Sequence, residues 1–123
     1  QHVLQMRALR SHVVRTINLY RPDVVAIERE FGRGVGTRLL VSLFAAAQEA
    51  AYISGLPTLS IGIGQWRKHV HGKSHMRTEW FKAEALRLVP LAPDADAAEA
   101  ALIGRYVCET VRMHAAPAVG RAA

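Results

Sequence analysis

The sequence has only one cysteine and no long apolar run. Its one cysteine, Cys108, excludes an internal disulfide and any zinc site built from several cysteines. No apolar run reaches the ~18 residues that predict a membrane-spanning helix. No signal peptide is visible at Gln1, and together with the cysteine count this favours a reducing, cytoplasmic setting.

The sequence also has fewer acidic than basic residues. Sixteen Lys and Arg residues against ten Asp and Glu give a net charge of +6, and the isoelectric point is about 10.2. This excess predicts a polyanionic partner, nucleic acid first and an anionic membrane surface second. Of the 123 residues, 50% are hydrophobic, which is enough for one folded domain and excludes a disordered chain.

The hydrophobic pattern alternates between helices and strands. Helices are predicted over 2–20, 37–54, 78–88 and 96–113, and strands over 24–28 or 29 and 58–63. Residues 64–77 are predicted as a basic loop whose first part could be a short helix. We expect one domain over 1–114 and a flexible tail over 115–123.

The order of these elements predicts an α/β fold with a parallel sheet. The first strand is continuously apolar, as in parallel strands that are covered on both faces. Two parallel strands alone make a very small sheet. We therefore expect further strands, supplied either by another chain or by residues that precede Gln1.

Three acidic residues are candidates for chemistry. Glu28 ends the first strand, and Asp96 and Glu99 lie three apart, on one face of the last helix. The alternatives are a solvated strand end for Glu28 and a capping box for the pair, with Asp96 as the N-cap. Several carboxylates that converge on one point need cations between them, and hard oxygen ligands suit Mg²⁺ or Mn²⁺. Asp94 is the substitute if the helical register differs by two residues.

The basic segment between these acids predicts contacts with phosphate. It carries four cations, with three histidines among them: Arg67, Lys68, Lys73, Arg77, His69, His71 and His75. A zinc site at the histidines is the weaker hypothesis, because no cysteine lies near and the segment is rich in cations. Trp66 and Trp80 are predicted as packing anchors in preference to base-stacking platforms.

Together these segments resemble the RuvC family of Holliday junction resolvases, and more closely its phage and prophage branch. In chain order the matching pieces are RPDVVAIEREF, LLVSLFAAAQEAAYISGLPTLSI, QWRKHVHGKSHMR and DADAAEAALIGRYV. They resemble the family's strand with a catalytic Glu followed by Phe, its next helix and strand, its basic stretch with a Gly-Lys turn, and its closing helix. They cover most of residues 21–107, and their order and spacing carry the specificity.

The resemblance implies an RNase H-like fold and a homodimeric, Mg²⁺-dependent endonuclease for branched DNA in recombination and repair. By position, Glu28, Asp96 and Glu99 would bind the metal, and Lys68 would act at the scissile phosphate. Glu99 stands where the family usually has Asp. The implied DNA-binding residues are Arg67, Lys68, Lys73, Arg77, Phe31 and Arg33.

The family's opening strands, with a first catalytic Asp, have no counterpart in this sequence. We therefore expect an N-terminally truncated RuvC-like domain that lacks one metal ligand. The alternative is a non-catalytic nucleic-acid-binding remnant or accessory domain. A transposase or guide-dependent nuclease built on the same fold is a third hypothesis.

Overall fold

The computed structural model describes residues 2–29 and 37–114. The elements are α1 (His2–Tyr20), β1 (Val25–Arg29), α2 (Thr37–Ile53), β2 (Thr58–Gly62), α3 (Ile63–His71), α4 (Thr78–Leu88) and α5 (Ala95–His114). The predicted elements are confirmed to within two residues at their ends. Residues 64–71 are the exception, because together with Ile63 they form α3. The prediction of a loop is wrong there, and its short-helix alternative is correct.

The chain divides into two compact units, Gln1–Gly62 and Ile63–Ala123. The single domain over 1–114 stays a prediction, and the predicted tail lies outside the described residues. None of the described helices combines the length and the apolar character that crossing a membrane requires.

The first unit is built on two parallel strands and two helices. In the register of β1 and β2, Val25 lies opposite Thr58 and Glu28 opposite Ile61. Helix α2 packs against α1 and against both strands. Its buried face consists of alanines, which let the helices approach closely: Ala46, Ala47, Ala50 and Ala51.

Helix α2 ends as the sequence predicted. Gly55 has a φ of +77°, which glycine adopts without the strain that a Cβ brings. The Gly55 N–H donates to the Tyr52 carbonyl at 2.9 Å, and the Leu56 N–H donates to the Ala51 carbonyl at 2.9 Å. This pair of bonds is the Schellman motif, and it turns the chain toward Pro57 and β2.

The second unit consists of α3, α4 and α5, with α5 packed against both of the others. Trp66 and Phe81 are its largest fully buried side chains. Leu102, Ile103 and Val107 of α5 are buried in the same unit. The unit therefore presents the basic segment 64–77 and the acidic start of α5 on one compact body.

Candidate functional site

The start of α5 is capped by Asp94. Its carboxylate accepts a hydrogen bond from the Ala97 N–H at 2.8 Å, and its carbonyl accepts one from Ala98 at 3.1 Å. This is the bonding of an N-cap residue, so the capping box with Asp96 as N-cap is wrong. Asp96 and Glu99 lie inside the helix. Neither of them is the N-cap of α5, because Asp94 has that role.

Asp96 and Glu99 have different surroundings. The Asp96 side chain is 85% exposed and lies 3.7 Å from Lys82 Nζ. The Glu99 side chain is only 14% exposed and lies 3.4 Å from Arg67 Nη2. Two acids from one helix face therefore differ in accessibility, and Asp96 is the more open to a ligand.

Arg67 is the partner that α3 supplies to Glu99. Its side chain is 11% exposed, and its guanidinium carbon lies 4.2 Å from the centroid of the Phe81 ring and 5.6 Å from that of Trp66. A guanidinium stacks well on aromatic faces while it binds a carboxylate. The predicted contact of Arg67 with DNA stays a prediction, and the structure shows a largely buried ion pair.

The other three predicted DNA-binding cations of this segment are exposed. Lys68 lies on α3, and Lys73 and Arg77 lie in the connection between α3 and α4. Lys73 Nζ is 5.5 Å from the centroid of the Trp80 ring. Gly72, with a φ of +72°, ends α3 and begins this connection. These cations give the second unit an accessible basic surface.

The histidines of the segment take separate places. His69 Nε2 lies 3.4 Å from Glu109, and a hydrogen bond from Arg105 is the main reason that the pKa of Glu109 is lowered. His71 lies among three aromatic rings, those of Trp66, Trp80 and Phe81. Burial lowers the pKa of His71. Among the described residues, no group of three or more His, Cys, Asp or Glu side chains could hold a metal ion.

Glu28 belongs to the first unit, at the fourth position of β1. It is partly buried and borders an open hollow of about 250 Å³ between β1, α1 and α2. Apolar side chains line the rest of that hollow, among them Leu9, Leu43 and Phe44. Phe31 and Arg33 lie outside the described residues. The metal-binding role of Glu28, Asp96 and Glu99 stays a prediction, as does the catalytic role of Lys68.

Three functional features escaped the sequence analysis. The Asp94 cap had a local signal, because the helix-forming run starts directly after it at Ala95. The Arg67–Glu99 pair spans 32 positions, and no local pattern indicates it. The aromatic surroundings of His71 likewise depend on how α3 and α4 pack.

The fold is similar to that of known structures. Thermus thermophilus RuvC aligns with a TM-score of 0.72 and 19% identity, over 90% of this chain and 72% of that chain. T. thermophilus RuvC in complex with Holliday junction substrate aligns with a TM-score of 0.67 and 22% identity, over 84% and 67%. No family model matches the chain, and no curated protein matches it by sequence. The chain therefore has a RuvC-like α/β fold, and the predicted fold class is confirmed.

Proposed function

We propose that the chain is a RuvC-like, structure-selective DNA endonuclease that binds branched DNA and hydrolyses phosphodiester bonds with Mg²⁺ or Mn²⁺. The observation that carries this proposal is the likeness of its fold to T. thermophilus RuvC in complex with Holliday junction substrate. The branched substrate is stated of that protein, and its transfer to this chain is our inference.

The charges of the second unit support DNA as the ligand. Lys68, Lys73 and Arg77 are exposed along α3 and the connection that follows it. Cations that neutralise phosphates release counterions from DNA, which favours binding at low salt. The excess of six positive charges over the whole chain adds a long-range attraction.

The acidic residues fit a divalent metal in the chemistry of their ligands. Carboxylates such as those of Glu28, Asp96 and Glu99 are the hard oxygen ligands that Mg²⁺ and Mn²⁺ prefer. Asp96 is open to solvent, whereas Glu99 forms an ion pair with Arg67. A metal ion at Glu99 would therefore compete with a guanidinium that is already in place.

In this proposal each residue has one task. Glu28 and Asp96, with Glu99, hold the metal, while Lys68 contacts the phosphate that is cut. We also assign DNA binding to Lys73, Arg77, Phe31 and Arg33, and to Arg67, which in addition pairs with Glu99. When bound, the metal would activate water and stabilise the leaving oxygen. The proposal also includes a homodimer and a cytoplasmic setting. Sedimentation velocity measures the oligomeric state.

A second candidate function is nucleic-acid binding without catalysis. The observation in its favour is the Arg67–Glu99 pair, because one of the three predicted metal ligands already has a cationic partner in the protein. A protein that only binds DNA needs the basic surface and gains nothing from a free carboxylate next to it. The two candidates make the same prediction for binding and opposite predictions for cleavage.

The binding test compares two double variants of equal charge. In Lys68→Ala/Lys73→Ala, the salt dependence of four-way junction binding should flatten by up to about one unit per lost phosphate contact. Arg7→Ala/Arg15→Ala removes two exposed cations from α1 and should leave the slope close to that of the parent. Fluorescence anisotropy at several salt concentrations measures both. An unchanged slope in the first variant would show that this surface does not bind the DNA.

The cleavage test then separates the two candidates. If the parent cuts junctions in Mg²⁺ or Mn²⁺, Glu28→Gln and Asp96→Asn should each lower the rate by roughly a thousandfold, because each loses a charge that holds the metal. Asp23→Asn, which removes an exposed carboxylate just before β1, is the matched control and should cut normally. Junction binding without cutting by the parent selects the second candidate.

A further inference from the structure

The start of α4 borders an open hollow outside the acidic site. Its volume is about 440 Å³, and its lining is Met76 and Trp80 together with His75, Arg77 and Glu79. The hollow thus combines an aromatic ring and a thioether with charged groups at its rim. This is the composition of a surface that accepts a flat, polar aromatic ligand.

The two tryptophans of the chain differ in accessibility. Trp66 is completely buried, whereas Trp80 is partly exposed and lines the hollow. The Trp80 ring is held by an edge-to-face contact with Phe81, with centroids 5.1 Å apart, and by His71 at 5.7 Å. A ring fixed in this way stacks on a ligand without a large loss of side-chain freedom.

Cations lie on the same side of the unit as the ring. Lys73 Nζ is 5.5 Å from the Trp80 centroid, and Arg77 belongs to the lining of the hollow. Positive charge next to an exposed aromatic ring complements a nucleotide, whose base is a flat π-system and whose phosphate is an anion. Glu79 disfavours phosphate on its own side and can accept a hydrogen bond from a base N–H.

We propose that this hollow binds one unpaired nucleobase, which stacks on Trp80 while its neighbouring phosphate contacts Lys73 and Arg77. This inference rests on the proposed function and deepens it, since a base at a branch point or a strand end leaves its stack at a lower cost than one inside a duplex stem. Duplex stems have every base stacked and paired, so the site favours DNA at its branch points and ends.

The test uses two single-stranded oligonucleotides of the same length, one of thymidines and one abasic. Both carry the same phosphates, so only the first can stack. We expect the thymidine strand to bind about five- to a hundredfold more tightly, as base–aromatic stacking implies. We also expect it to quench tryptophan fluorescence, which the abasic strand leaves unchanged.

Variants assign the effect to one ring. Trp80→Leu should reduce the thymidine affinity to that of the abasic strand, and Trp80→Phe should keep part of the difference. Trp66→Phe is the matched control: the quenching should persist, because the buried ring does not report on the ligand. If loss of the circular dichroism signal shows that Trp80→Leu does not fold, the test uses the Trp66→Phe protein with the two oligonucleotides. In that protein the fluorescence comes from Trp80 alone, so quenching by the thymidine strand and not by the abasic strand reports stacking on that ring.

The outcomes separate this inference from the proposed function. Equal affinity for the two strands, or quenching that survives in Trp80→Phe, would overturn the stacking site. If four-way junctions still bind with a steep salt dependence in that case, the proposed function stands without it. Binding of neither junction nor oligonucleotide would overturn both.

Discussion

Arg67 connects the acidic residues of α5 to the aromatic core of the second unit. It is 11% exposed, pairs with Glu99 and lies over the Phe81 ring. Its Nε is buried and has no hydrogen-bond partner among the described residues. The side chain therefore depends on the Glu99 carboxylate and on ring contacts for its stability.

Removal of Arg67 should destabilise the protein strongly. Arg67→Ala leaves Glu99 largely buried without its cation, and we expect the free energy of unfolding to fall by about 3 kcal/mol. Arg67→Met/Glu99→Leu should recover most of that loss, because neither charge remains. Arg105→Ala breaks an exposed pair with Glu109 and should cost far less, because water and salt screen exposed charges. Urea denaturation measures all three.

The same variant tests competition with a metal. Mn²⁺ should raise the melting temperature of Arg67→Ala more than that of the parent, because the Glu99 carboxylate is then free to bind it. Differential scanning calorimetry with and without Mn²⁺ gives the comparison. Equal shifts in the two proteins would remove Glu99 from the metal site and leave the pair a purely structural contact.

At the scale of elements, the end of α3 depends on packing against α4. His71 is the last residue of α3, and its ring centroid lies 5.4 Å from that of Phe81. Burial is the main cause that lowers the pKa of His71, and the charged groups that act on it are Glu84, Arg67, Glu99 and Arg105. The exposed cations Lys73 and Arg77 follow directly in the chain. The packing of His71 therefore positions the start of the basic connection.

Acid should weaken this arrangement. The pKa of His71 is lower in the folded protein than its ordinary 6.5, so as the pH falls below about 6.5 the unfolded chain binds a proton that the folded chain resists. His71 should therefore destabilise the protein progressively as the pH falls from 6.5 to its folded pKa. The pKa of Glu109 is also lowered, and its effect appears only below about 4.5.

Urea midpoints followed by tryptophan fluorescence at about pH 7.5 and 5.5 measure the effect of His71. His71→Phe should lose part of the difference between the two midpoints, because phenylalanine does not titrate. His75→Ala, in the exposed connection, should keep the full difference. A difference that is identical in His71→Phe and the parent would contradict the assignment.

At the scale of the whole molecule, the two units bury different kinds of side chain. The described core of Gln1–Gly62 contains two isoleucines and four alanines: Ile17, Ile61, Ala46, Ala47, Ala50 and Ala51. The core of the second unit contains Trp66, Phe81 and branched side chains of α5. Because hydrophobic stabilisation grows with the apolar area removed from water, the second unit should be the more stable.

Both tryptophans lie in the second unit, so fluorescence reports on that unit while far-ultraviolet circular dichroism reports on all helices. In urea, we expect the dichroism signal to begin falling before the fluorescence changes. Ala50→Gly and Ala85→Gly are matched changes at fully buried helical alanines and should each cost about 1 kcal/mol or more. The first should shift the early transition and the second the fluorescence. Equal shifts of both probes would mean that the units unfold together.

The sequence by itself determined the local elements and the charge of this protein. Helical periodicity located α1, α2, α4 and α5, and the apolar runs before Glu28 and Gly62 located the strands. Gly55 marked the end of α2 correctly, because a positive φ at a helix end is a local requirement. Residues 64–71 fitted a loop or a helix, because Gly64 and the polar run Arg67-Lys68-His69 weaken the helical pattern.

Only the tertiary structure decided which side chains meet. Asp96 and Glu99 share a helical face in the sequence, yet one is exposed and the other is paired with Arg67. Trp66 and Trp80 were both predicted as packing anchors, yet only Trp66 is fully buried. The physical reason is that helical periodicity specifies a face of each helix, whereas burial and pairing depend on which other helix covers that face.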